Sequence, residues 1–107
     1  MSCVTSNEAL SLISRVASGQ IVPRLKNPYQ HWNDPSVELM VIGWKVVIFT
    51  DVTRSRHLDS VESPDGRRGD FETWRSDAEF SQQPEDRLYR RDSNAMDRMF
   101  RAFREAR

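Results

Sequence analysis

Ser36-Val-Glu-Leu-Met-Val-Ile-Gly-Trp-Lys-Val-Val-Ile-Phe-Thr50 is the most apolar and most β-branched stretch of this 107-residue chain, and the fold class turns on how it is interpreted. Valine, isoleucine, phenylalanine and tryptophan suit strands because their bulk near the backbone fits a pleated, half-buried surface. Gly43 splits the run. As a hairpin, Val37–Val41 and Trp44–Thr50 pair antiparallel, and Gly43 supplies the positive φ that a tight turn needs. Ile42 argues against this, because a β-branched residue is strained at positive φ. The rival is one long strand carrying a glycine bulge. Such a strand would far exceed the usual ~5–6 residues, which favours the hairpin.

Alternation assigns faces to the second strand: Trp44, Val46, Ile48 and Thr50 point one way, Lys45, Val47, Phe49 and Asp51 the other. Both sets contain large apolar groups, whereas an antiparallel strand with one wet face alternates cleanly. The second strand is therefore expected to be central, with its other face covered by a helix, a loop or another copy of the protein.

Upstream, Thr5 with Glu8 forms a capping box that opens a helix. Ala9, Leu10, Leu12, Ile13, Val16 and Ala17 give that helix a broad apolar stripe, and Gly19 stops it. Residues 20–35 hold Pro23, Pro28 and Pro35, which excludes a regular helix or a central strand. This loop still has groups to bury, including Tyr29 and Trp32, and it ends in a turn near Asn33 or Asp34.

Downstream, residues 51–57 read as a polar connection and Leu58–Ser63 as a third strand. Pro64-Asp65-Gly66 is the clearest turn in the chain, with proline pre-setting φ and glycine taking the left-handed position. Gly69–Trp74 then returns as a fourth strand, and residues 75–83 are loop. Pro84 suits a first helical turn, and Asp92 or Ser93 can cap a helix that follows, so residues 84–106 form one helix or two. Met96, Met99, Phe100, Phe103 and Ala106 line one side of that terminal segment, and Arg98, Arg101 and Arg104 the other. Asp97 and Arg101 have the spacing of a favourable helical ion pair. The fold expected is α+β: an antiparallel meander sheet of three to five strands packed against N-terminal and C-terminal helices.

Composition sets outer bounds. At 107 residues the chain is one domain, 1–107, with residues 1–4 expected to be disordered. Sixteen basic side chains balance sixteen acidic ones, so no whole-molecule field steers it to nucleic acid or to an anionic membrane. The single cysteine, Cys3, has no internal disulfide partner. No apolar run approaches the ~18–20 residues of a membrane helix, and no secretory leader is visible. A reducing cytoplasm is the expected address.

Gly43-Trp44, the run into Phe49-Thr50-Asp51, then Leu58-Asp59-Ser60-Val61 and Ser63-Pro64-Asp65-Gly66-Arg67 resemble a family of small uncharacterised bacterial proteins, defined only as a domain of unknown function. The likeness covers residues 40–68, with a looser echo in the first helix and at His31-Trp32. The chain departs from that pattern at Ile42, where an acidic residue is expected, and through its arginine-rich C-terminus. The resemblance implies a compact bacterial domain and brings no activity with it.

Motifs that carry chemistry are sparse. There is no Gly-x-Ser-x-Gly and no Ser-x-x-Lys, Cys3 lies where nothing holds it for catalysis, and four scattered glycines build no phosphate loop. His57-x-Asp59 offers two metal ligands where a site needs at least three, so no metal and no cofactor are expected. Arg87–Arg107 carries seven arginines against three acids, so its local balance is +4 (7 − 3). Arg98, Arg101 and Arg104 form the face on which a protein partner, or less readily nucleic acid, would sit. A non-enzymatic interaction or accessory domain, in partnership with another protein or with itself as a homodimer, is the expectation. The alternative is a ligand-binding or enzymatic pocket of Trp32, Trp44, Asp51 and His57 at one end of the sheet.

Overall fold

A computed structural model of the chain describes residues 3–32, 34–50, 56–70, 72, 74 and 84–107. Strands β1 (Arg24–Leu25), β2 (Ser36–Val41), β3 (Trp44–Thr50), β4 (Arg56–Glu62) and β5 (Arg68–Asp70) form one sheet in chain order, each neighbouring pair antiparallel. Helices α1 (Ser6–Ala17), α2 (Pro84–Arg91) and α3 (Ser93–Arg104) pack on one another. Their apolar sides and one face of the sheet share a single core. The architecture is α+β, and the meander has its five-stranded form. Among the described residues no helix is long and apolar enough to cross a membrane.

The hairpin is formed. Val41 pairs with Trp44, which leaves Ile42 at φ 44° and Gly43 at φ 85° as a two-residue turn. Two successive left-handed residues suit the twist of the flanking strands. The objection raised by Ile42 survives as local strain, since a left-handed L-residue costs roughly 1–2 kcal/mol. Its side chain is exposed, so no burial offsets that strain at the turn itself. The ladder between β2 and β3 outweighs it.

Val37, Leu39 and Val41 lie on the same face as Val46 and Ile48, and all five are buried. On β4 the buried residues Leu58 and Val61 are three apart, a spacing that strict alternation would send to opposite faces. A bulge resolves this: Val47 faces Ser60 while Ile48 faces Leu58, leaving Asp59 as the extra residue. β3 is indeed the middle strand. On its outer side, among the described residues, Lys45 and Val47 are half-buried and Phe49 is exposed, with Glu72 lining the same shallow pocket as Phe49.

The N-terminal capping box is present, with Glu8 N–H donating to Thr5 Oγ1 at 3.1 Å and Thr5 N–H to Glu8 Oε1 at 3.2 Å. Val4, within the segment expected to be disordered, is fully buried. Its N–H donates to the Arg68 carbonyl at 3.1 Å, and its own carbonyl accepts the Trp74 indole N–H at 3.1 Å. The expected strand Gly69–Trp74 is likewise shorter, because β5 ends at Asp70 and Glu72 and Trp74 are helical. Leaving the sheet there lets Trp74 turn inward and bind Val4. β4 begins at Arg56, two residues before the strand read from sequence. The expected loop over 75–83 lies outside the described residues.

At the C-terminus Pro84 opens α2, and Asp92 caps α3 by accepting Asn94 N–H at 3.0 Å, so the segment is two helices. Met99 and Phe103 are fully buried, while Met96, Phe100 and Ala106 pack at the core's margin. Glu85 is also buried and accepts the Leu58 N–H at 3.1 Å. Leu58 lies beyond the three residues that β5 covers, so α2 supplies an acceptor to β4 there.

Candidate functional site

Three distant segments meet at one end of the sheet. The proline-rich loop closes on itself through Asp34 N–H to the His31 carbonyl at 2.9 Å, and Thr50 N–H ties the Pro35 carbonyl to β3 at 2.8 Å. That brings Trp32 beside the start of β4, where Arg56 pairs with Thr50. The Arg56 guanidinium carbon lies 4.7 Å from the centroid of the Trp32 ring, a cation–π distance. α3 contributes Asp97, Phe100, Arg101 and Arg104, residues spaced to lie along one side of a helix. Together they line an open cleft of about 300 Å³.

Among the described residues that line the cleft, three guanidinium groups face one carboxylate. The expected Asp97–Arg101 ion pair does not close. Among the described residues, Arg101 and Arg104 make no hydrogen bond or ion pair, and both are exposed. Their planar forks are therefore available for two-point contact with a carboxylate or phosphate oxygen pair. Among the described residues the cleft is lined by tryptophan, phenylalanine, arginine and one aspartate.

The pocket expected of Trp32, Trp44, Asp51 and His57 is not assembled. Trp32 belongs to the cleft, but Trp44 sits at the hairpin end of β3, about 20 Å away along the strand. His57 is on the outer face, its ring 5.2 Å from that of Phe49, in a shallow pocket of about 250 Å³ with Asp59, Arg68 and Asp70. Asp51 lies outside the described residues. The arginine trio divides as well. Arg98 Nε donates to the Ala17 carbonyl at 3.2 Å and Nη2 meets Asp92 at 3.3 Å, which makes it a brace between α3 and the end of α1. Among the described residues no group of three or more His, Cys, Asp or Glu side chains is arranged to hold a metal.

Sequence reasoning missed Arg56 and Phe100. The missed signal was parity: Arg56 shares the core face with Leu58 and Ile48, so it had to end either in the core or at its rim.

The chain belongs to a family described as Domain of unknown function (DUF7693), whose model matches residues 3–102. The likeness thus runs well beyond residues 40–68 and takes in most of α3, with Arg98 and Arg101 inside the match and Arg104 beyond it. No curated protein and no solved structure matches the chain.

Proposed function

Taking membership of that family as the premise, we propose that this chain is a non-enzymatic interaction domain that seizes an acidic group of a partner protein in the cleft of Trp32, Arg56, Arg101 and Arg104. The observation that carries the reading is the meeting of three guanidiniums and two aromatic side chains around one opening, with Asp97 the one opposing charge among the lining residues. Arginine and tryptophan are the side chains on which binding energy concentrates at protein interfaces. A balanced total charge supports a local, acidic contact over a long polyanion tracked across the surface. A reducing bacterial cytoplasm is the setting this reading supposes.

Fluorescence anisotropy of a fluorescein-labelled, glutamate-rich peptide tests it. Binding should weaken as salt is raised and fall about tenfold or more when Arg101→Glu and Arg104→Glu are combined. Unchanged affinity in that double variant sinks the reading. Tighter binding of a single-stranded oligonucleotide than of the peptide replaces it with nucleic-acid binding.

A second reading, self-association through the outer sheet face, is favoured by Met40, Val47 and Phe49. These form a diagonal apolar stripe beside Lys45 and Glu38 on the side away from the helices. Sedimentation velocity over a wide concentration range decides it, and a monomer throughout removes it.

A further inference from the structure

A second cationic recess, separate from the Trp32 cleft, lies between α1 and α2. Arg15, Arg87 and Arg91 line it together with Ser11, Ser14 and Ser18, and it is an open, shallow depression of about 590 Å³. Asn7 and Gln20 add amides, and among the described residues that line it Leu10 is the one hydrocarbon side chain and no acid appears.

Position at helix ends explains these cations singly. Arg15 lies in the last turn of α1 and Arg91 in the last turn of α2, where positive charge complements the helix dipole. It does not explain why they converge from two helices on one groove, where like charges repel. Two further observations point to a ligand. Arg87 is held in place by Nη1 donating to Ser6 Oγ at 3.2 Å. The Ser14 hydroxyl oxygen is buried and has no hydrogen-bond partner among the described residues, a state that is costly unless something meets it. Serines 11, 14 and 18 follow helical spacing along one side of α1, with the Ser14 oxygen set beneath the surface and the Ser18 hydroxyl donating to the Arg15 carbonyl at 3.0 Å.

We infer that this groove binds a small, multiply phosphorylated ligand. Guanidinium forks and hydroxyl donors are the groups that chelate phosphoryl oxygens. The volume exceeds what one phosphate occupies, and three cations match a ligand of several negative charges. Among the described residues no aromatic side chain lines the groove, so the recognition inferred is of phosphoryl groups and not of a stacked base.

The experiment is a titration of the full chain with tripolyphosphate, followed by two-dimensional NMR of backbone amides and arginine side chains at constant ionic strength. Saturable shifts should centre on Ser11, Ser14, Ser18, Arg87 and Arg91. Arg91→Gln, at an exposed position that folding does not depend on, should weaken binding about tenfold, the loss of one charge-assisted contact. Combined Arg101→Gln and Arg104→Gln should leave it unchanged, which separates this groove from the partner cleft. Shifts that never saturate, that spread evenly over all arginines, or that saturate at the same ligand concentration in Arg91→Gln overturn the inference. A parallel titration with a singly phosphorylated serine peptide distinguishes a free ligand from a modified chain. Preference for tripolyphosphate supports the inference, and preference for the peptide overturns the ligand class.

Discussion

At Gly69 the backbone has room for a hydrogen and nothing larger. A methyl group there would lie 2.3 Å from the Val4 carbonyl oxygen and 2.9 Å from the Trp74 indole nitrogen. Neither neighbour is the loose end of a flexible side chain, so the clasp must open or the strand must shift. Gly69→Ala is expected to lower stability by about 2–4 kcal/mol in urea unfolding, with red-shifted tryptophan emission as Trp74 is released. Ile42 is the opposite case, a residue that fits its neighbours but not its own φ. Ile42→Asp, the residue type that the family resemblance leads one to expect there, should raise stability by about 1 kcal/mol. A lower midpoint of urea unfolding in that variant would contradict the strain assigned to the turn. Sequence exposed the conflict at Ile42 in advance, because φ preference is a property of the residue itself. It was silent on Gly69, whose constraint comes from a chain segment 65 residues earlier (69 − 4).

Elements are joined here by carboxylates that reach between them. Glu85 carries α2 onto β4 through the Leu58 N–H. Glu85→Ala, which strands that buried donor, should cost about 1–3 kcal/mol in chemical denaturation, and Glu85→Gln, which keeps an acceptor oxygen, distinctly less. Glu8 does similar work at the start of α1, where it meets Arg67 at 2.9 Å beside the β4–β5 turn. The backbone N–H of Thr5 and then Arg67 hold the Glu8 carboxyl below its ordinary value. The Ser63 hydroxyl and Arg67 do the same for Asp65. A depressed folded value means that the contribution is complete above the unfolded carboxylate range and disappears as pH falls through the folded value. Unfolding free energies measured at a series of pH values should therefore fall less steeply on the acid side in Glu8→Gln than in the parent. Parallel acid limbs would remove the linkage. The capping box, the hairpin and the Pro64-Asp65-Gly66 turn were all legible, since each is written within a few consecutive residues. The bulge at Asp59 and the early end of β5 were not, because both depend on what lies across the sheet.

For the molecule as a whole, charge is balanced in total and unevenly distributed. Arginines gather at the Trp32 cleft and at the α1–α2 groove, while Lys26, Lys45 and Glu38 pair along the outer sheet. Counting charges along the sequence identified the basic C-terminal segment, but not its division between Arg98, a brace, and Arg101 with Arg104, which make no hydrogen bond or ion pair among the described residues. The cleft draws on residues 32, 56 and 97–104, and no spacing rule links positions so far apart. Salt dependence reads out this segregation: binding of the acidic peptide should weaken markedly between low and physiological ionic strength, whereas stability in urea should hardly move. Equal sensitivity of both would mean that these charges stabilise the fold more than they serve recognition.

The strap formed by Val4 has a consequence for how the protein is made. Val4 is synthesised more than sixty residues ahead of its two partners, Arg68 and Trp74 (68 − 4 and 74 − 4). During translation β2 and β3 can pair early, while the rim that β5 will form has no guard until the segment around Val4 swings back to it. A bulky insertion immediately ahead of Val4 would burden that late step, so soluble yield should suffer more from it than from the same insertion after Arg107.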